Sequence, residues 1–204
     1  MKNKILFLFL IFGIAAGVSI GLQVTHSQKQ FKKQVLSASA DVKRQLALIS
    51  PTVTPGVPIS ISIPKIGVRA HIESVAMDSL GRMDVPQNPD DTAWYSPGFR
   101  PGMKGNAVID GHLDKVTGAP AVFWNLKELS TGDSIAVTES NGAKYTFTVD
   151  RVVKYPYNQF PLQEVFGNSD IPKLNLITCN GVWDKNSKNY SDRLVVYSKI
   201  VSEN

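Results

Sequence analysis

Leu174-Asn175-Leu176-Ile177-Thr178-Cys179 is an apolar run of strand type that ends on the only cysteine of the chain. A second β-type run, Leu194-Val195-Val196-Tyr197, begins directly after Arg193. A third, Asn106-Ala107-Val108-Ile109-Asp110-Gly111, ends at His112. Three strands that each carry a reactive side chain at one end are what an active site on a β-barrel needs. The surrounding pattern agrees. Ile59, Ile61 and Ile63 alternate with small polar residues, the period of a half-buried strand. Ser134–Thr138 and Lys144–Val153 flank Asn141-Gly142, a pair that tolerates positive φ and marks a hairpin. Val68–Val75, Ala107–Ile109, Leu174–Thr178 and Leu194–Val201 supply further strands. Within this strand-rich part helical pieces are few: Ala121–Leu129, and a turn near Leu162–Phe166. Short strands joined by Gly- and Pro-rich turns predict a mainly β fold, a closed or nearly closed antiparallel barrel.

The chain has 204 residues, 43% hydrophobic and 19% charged, which suits one globular domain with appendages. Its net charge of +5 owes much to Lys2, Lys4, Lys29, Lys32, Lys33, Lys43 and Arg44, outside the strand-rich part. No groove-reading motif accompanies that charge, so nucleic acid is not an expected partner. One cysteine excludes a disulfide scaffold and a multi-cysteine zinc site.

Ile5 to Leu22 is uncharged and long enough to span a bilayer at the short end of the range. Gln23-Val24-Thr25-His26-Ser27-Gln28 makes a poor signal-peptide cleavage site, which favours an uncleaved anchor. The expected organisation is an N-terminal membrane anchor over 1–28, a stalk and linker over 29–56, and a catalytic domain over 57–204. Phe31, Val35, Val42, Leu46 and Ile49 recur at helical spacing and predict a stalk helix from Phe31 to Ile49. Pro51-Thr52-Val53-Thr54-Pro55-Gly56-Val57-Pro58 stops it. Lysines lie on both sides of the span, so charge counting leaves orientation open.

The chemistry divides among three side chains. Cys179 serves as nucleophile, because the thiolate attacks carbonyl carbon and nearby positive charge raises its population. His112 exchanges protons as general acid and base. Arg193 keeps its charge and holds an oxygen on which negative charge develops. Thr178 is either a donor to bound substrate or a satisfied strand-end hydroxyl. His26 and His71 lack partners at metal spacing, and Asn189-Tyr190-Ser191 is a common short match to a glycosylation pattern.

Ala107-Val108-Ile109-Asp110-Gly111-His112, Leu176-Ile177-Thr178-Cys179 and Asp192-Arg193-Leu194-Val195-Val196 together resemble the bacterial sortases. Phe123-Trp124-Asn125-Leu126 and Gly132-Asp133 extend the resemblance, which runs from about Val57 to Val201. Asn175 departs from the family's Thr-Leu-x-Thr-Cys word. The resemblance implies an eight-stranded sortase-like β-barrel behind an N-terminal transmembrane helix. It implies a cysteine transpeptidase of Gram-positive bacteria, single-pass in the cell membrane with the catalytic domain extracellular. Its partners would be secreted proteins carrying a Leu-Pro-x-Thr-Gly-like sorting signal, and an amine acceptor such as a peptidoglycan precursor. The bond after threonine would be cut through a thioester on Cys179, with His112 and Arg193 at the other two catalytic positions.

Several finer expectations accompany it. No pilin-type Asp-Pro-aromatic lid or second hydrophobic segment is present in the sequence, and Ala93-Trp94-Tyr95-Ser96-Pro97-Gly98 looks more like class D, E or F. Trp94 is expected in the core rather than in the groove wall. Pro161, Val165 and Ile171, within the long Lys154–Pro172 connection, either offer apolar surface for a Leu-Pro pair or only pack that connection onto the barrel, and Trp183, beside Cys179 in the 180–192 loop, is a candidate to shape the amine entrance. Glu164, Asp170 and Asp114 lack calcium-loop spacing, so no metal and no cofactor is expected. Two other readings fit a cysteine, histidine and arginine on β structure. One is an L,D-transpeptidase, disfavoured because no Ser-His-Gly-Cys-x-Arg word surrounds Cys179. The other is a membrane-tethered barrel that binds peptides without turnover.

Overall fold

Ile61 and Ile63 are buried while Ile59 is exposed, so the alternation in the first strand breaks at its start. The cause is a bulge between Pro58 and Ser60 opposite the fifth strand, which turns Ile59 outward. This computed structural model describes residues 29–39, 41–42 and 56–203. The chain divides into two compact units, Met1–Val53 and Thr54–Asn204. In the first, residues 29–39 and 41–42 are helical, with Phe31, Val35 and Val42 exposed. The rest of the expected stalk helix and the expected anchor over 1–28 lie outside the described residues. Among the described residues no helix is long and apolar enough to cross a membrane.

The second unit has eight strands: β1 (Pro58–Ile63), β2 (Val68–Val75), β3 (Thr92–Tyr95), β4 (Gly105–Gly111), β5 (Ser134–Glu139), β6 (Lys144–Pro156), β7 (Pro172–Asp184) and β8 (Asn189–Glu203). They close into a barrel in the order β1-β2-β3-β4-β7-β8-β6-β5. The expectation of an antiparallel barrel needs correction, because β2–β3 and β4–β7 pair in parallel. A parallel pair needs a crossover, and long connections are what the sequence supplies between those strands. The expected helix over Ala121–Leu129 also needs correction. Only a 3-10 turn, Leu126–Glu128, forms there. Its backbone bonds span three residues, as in Leu126 N–H to Phe123 O and Leu129 N–H to Leu126 O. That tighter winding puts Phe123, Leu126 and Leu129 on one buried side. A five-residue helix, Leu162–Phe166, does form where one was expected.

Two apolar clusters follow from strand alternation. The barrel interior holds Ala107 and Ile109 of β4, Leu174 and Leu176 of β7, and Leu194 and Val196 of β8. Trp94 joins it, with its indole N–H donating to Phe99 O, so it is a core residue. The outer face of the same strands carries a second cluster: Val108, Ile177, Val195 and Tyr197, covered by Val165 of the Leu162–Phe166 helix. On β6 a bulge between Val149 and Arg151 shifts the parity, so that Val153 and Tyr155 face this outer cluster too.

Candidate active site

Cys179 of β7 and Arg193 of β8 are directly opposed in the antiparallel register. Period two places Cys179 on the face of Ile177, and Arg193 on the face of Val195 and Tyr197. Both reactive groups therefore stand on the outside of the barrel, above the second cluster. On the other side of β7, Asp110 of β4 pairs with Ile177. Continuing that parallel register by two steps brings His112 beside Cys179. The adjacency is clamped by Thr178, whose buried hydroxyl donates to Gly111 O at 2.7 Å. Thr178 thus has its hydroxyl satisfied, inside β7 rather than at its end, because the strand runs on to Asp184. Its hydroxyl is committed to the barrel, which corrects the expectation of a substrate contact.

All three reactive side chains are half-buried. His112 Nε2 lies 2.9 Å from Pro86 O. A carbonyl only accepts, so in this orientation Nε2 carries the hydrogen and Nδ1 is left for proton exchange. Arg193 Nη1 donates to Tyr190 O at 3.3 Å and Asp192 O at 3.0 Å, and Nη2 donates to Asn189 Oδ1 at 2.8 Å. Three of its five N–H groups are so used. Nε–H and one Nη2–H remain for an oxygen that becomes negative.

Electrostatics favour a protonated resting thiol. Burial pushes the Cys179 thiol up, Arg193 pulls it down, and Asp110 and Asp114 push it up. Asp110 keeps part of its surface, yet desolvation raises its carboxyl to about 7, against the pull of the Gly111 N–H and of Arg193. The sequence held a signal for Asp110 that went unused: it stands two residues before His112, hence on the same strand face. Asn189 and Tyr190 carried no such signal, because their contacts depend on how the β7–β8 hairpin folds.

The remaining expected site residues separate. Val165 is fully buried in the outer cluster, so it is a packing residue with no surface free for a peptide. Pro161 is half-buried at the start of the Leu162–Phe166 helix, and its carbonyl accepts the Glu164 and Val165 N–H groups. Ile171 and Trp183 are exposed, and Trp183 meets Tyr190 edge to face with centroids 5.2 Å apart. The helix is tied down by two buried asparagines. Asn175 Nδ2 donates to Val165 O at 2.7 Å, and Asn106 Nδ2 donates to Gly167 O at 2.9 Å. The residue that departs from the family word thus works as a clasp for the covering helix. Of the acidic residues weighed for calcium, Glu164 pairs with Arg151 and Asp114 accepts from Tyr190.

The fold has counterparts among known proteins. A family model described as the sortase domain matches residues 61–201. Among solved structures, sortase A of Listeria monocytogenes is similar with a TM-score of 0.55 at 18% identity, covering 73% of this chain and 89% of that one. Sortase C1 of Streptococcus agalactiae gives 0.55 at 20% identity, covering 71% and 67%. Sortase A of Corynebacterium diphtheriae gives 0.55 at 22% identity, covering 74% and 63%. A comparison with curated protein sequences finds no match. The family model takes in His112 after β4, Cys179 in β7 and Arg193 in β8, and on that match the chain belongs to the sortase family of cysteine transpeptidases.

Proposed function

We propose that this protein cleaves a Leu-Pro-x-Thr-Gly-like sorting signal after threonine and transfers the acyl group to an amine at the cell wall. The observation that carries the reading is the adjacency of β4, β7 and β8, with Cys179 opposed to Arg193 and next in register to His112. The thiol gives its proton to His112, and Sγ bonds to the threonine carbonyl carbon. Arg193 steadies the oxygen as it takes up charge. The carbon–nitrogen bond breaks, and His112 returns the proton to the departing glycine amine. The thioester on Cys179 is then attacked by the acceptor nitrogen, which loses its proton to His112 as Sγ leaves. A soft thioester suits transfer to nitrogen.

Pro161, Ile171 and Trp183 have surface to offer: Pro161 and Ile171 beside the covering helix for the Leu-Pro pair, Trp183 on the hairpin for the amine side. The Trp94-Tyr95-Ser96-Pro97-Gly98 stretch supports a class D, E or F type. The uncharged Ile5–Leu22 stretch supports a single-pass membrane protein, and the extracellular placement of the catalytic domain rests on the sorting-signal substrate. The chain is incubated with Leu-Pro-x-Thr-Gly peptides and an amine such as triglycine, and mass spectrometry follows the protein and products. An acyl adduct at Cys179 and a transferred product are expected, and Cys179→Ala yields neither. Peptide binding without adduct or product would leave the non-catalytic barrel as the better reading.

A further inference from the structure

We propose that the Tyr190–Asp114 hydrogen bond is a latch that holds the arginine-bearing and histidine-bearing sides of the site together, making both positioning residues for acyl transfer. The proposal rests on the function argued above and adds a determinant of its geometry. Tyr190 Oη donates to Asp114 Oδ2 at 2.5 Å. Asp114 belongs to the tight turn that leaves His112, closed by the Ala121 N–H on Leu113 O and by bridging of Asp114 to Pro120. Tyr190 belongs to the β7–β8 hairpin, and its carbonyl accepts from Arg193 Nη1. One residue therefore grips the histidine turn with its side chain and the catalytic arginine with its main chain.

The hairpin needs such a support. It runs beyond Cys179 with a register shift between Asn180 and Trp183. Among the described residues its other side-chain hydrogen bonds stay within it: Val182 N–H to Ser191, Ser187 to Asp184, and Arg193 to Asn189. The Trp183 ring packs edge to face on the Tyr190 ring. The phenol is pushed up to about 12, first by its bond to Asp114, so the donor keeps its hydrogen through the neutral range. A bond to a charged acceptor with both residues half-buried is in the stronger class of such contacts.

The groups facing Cys179 are Arg193 on β8, Asp110 on β4, His112 at its end, Asp114 on the turn and Tyr190 on the hairpin. Their signs make the latch testable by alkylation of Cys179 with iodoacetamide across pH, on the full chain. This readout needs no sorting signal, so it judges the latch even if the proposed turnover fails. Tyr190→Phe keeps the ring and removes the donor. Arg193 then loses its hold beside the thiol, and the alkylation profile moves to higher pH. Asp114→Asn removes a charge that pushes the thiol up but leaves an oxygen for Tyr190, so its profile moves to lower pH. Asp114→Ala lacks the charge and the acceptor, and its profile lies above that of Asp114→Asn. This last comparison stands even if Tyr190→Phe folds poorly. With sorting peptide, Tyr190→Phe lowers kcat about tenfold with KM little changed, the size of one charged hydrogen bond. Coincident profiles for wild type and Tyr190→Phe, or for Asp114→Asn and Asp114→Ala, would overturn the latch. A wild type that alkylates but forms no acyl adduct overturns the sorting-signal reading instead.

Discussion

The Thr178 hydroxyl donates to the Gly111 carbonyl, one residue before Cys179 on β7 and one residue before His112, which follows β4. It locks the end of β4 to the middle of β7 at the point where the register brings Cys179 and His112 together. Thr178→Val keeps the shape, leaves that carbonyl without its buried donor, and costs about 1–3 kcal/mol. Urea denaturation should show a lower midpoint with an unchanged slope, and turnover should fall with it.

Arg193 is expected to act through a planar fork rather than through charge alone. Arg193→Lys keeps the charge but cannot hold Tyr190 O, Asp192 O and Asn189 Oδ1 while offering two further donors. A loss of about 10²–10³ in kcat is expected, the usual cost of removing an oxyanion donor. Turnover of a fluorogenic sorting peptide measures it, with Cys179→Ala and His112→Ala as the inactive references.

Asp110 makes a pH-dependent contribution of defined sign. Its carboxyl rises from an ordinary 3.8 to about 7 on folding, so the folded protein binds that proton more tightly. Stability from this group is complete below about pH 4 and declines as pH climbs toward 7. Asp110→Asn should therefore stabilise the protein by about 1–2 kcal/mol at pH 8, after allowing for residual exposure, and leave it unchanged at pH 4. Thermal denaturation at the two pH values separates these outcomes. The same change removes a charge that raises the thiol, so Cys179 alkylation should shift to lower pH.

Gly111 has no room for a side chain. A Cβ there would stand 2.5 Å from Phe123 Cδ2 and 2.8 Å from Val122 Cγ1. Gly111→Ala must push the buried Phe123 out of the barrel end or displace the strand that leads to His112. A stability loss of about 1–3 kcal/mol is expected. Acyl-adduct formation should fall as well, which a substitution remote from the site would not cause.

Asn175 clasps the covering helix through one amide donor, while its buried Oδ1 has no partner among the described residues. Asn175→Ala removes a favourable bond and an unfavourable orphan together, so a modest loss of about 1 kcal/mol is expected. The local effect is larger. Amide hydrogen exchange across Leu162–Gly167 should accelerate, because Val165 O loses the donor that ties the helix to β7.

Strand positions were legible in the sequence because burial on one face writes a period of two, as in Ile61 and Ile63 or in the runs around Cys179 and Arg193. The failures have physical causes. Ile59 sits on a bulge, and a bulge reverses parity without altering composition. The Phe123, Leu126 and Leu129 spacing reads as a helix face but equally fits successive 3-10 turns. Val165 fitted groove surface and packing equally in the sequence, because a covering helix and a binding wall use the same residue types, and the structure places it in the packing.

What the amino-acid order by itself supplied was the strand-rich pattern and three candidate carriers of the chemistry: the Cys179 thiol, the His112 imidazole and the Arg193 guanidinium. Those assignments rest on local identity and spacing, which need no knowledge of partners. The tertiary structure alone decided that β4 runs parallel beside β7, that the reactive groups stand on the barrel's outer face, and that Tyr190 reaches Asp114. Strand pairing and hairpin contacts join residues far apart along the chain, and a local pattern holds no record of which distant segment will complete it.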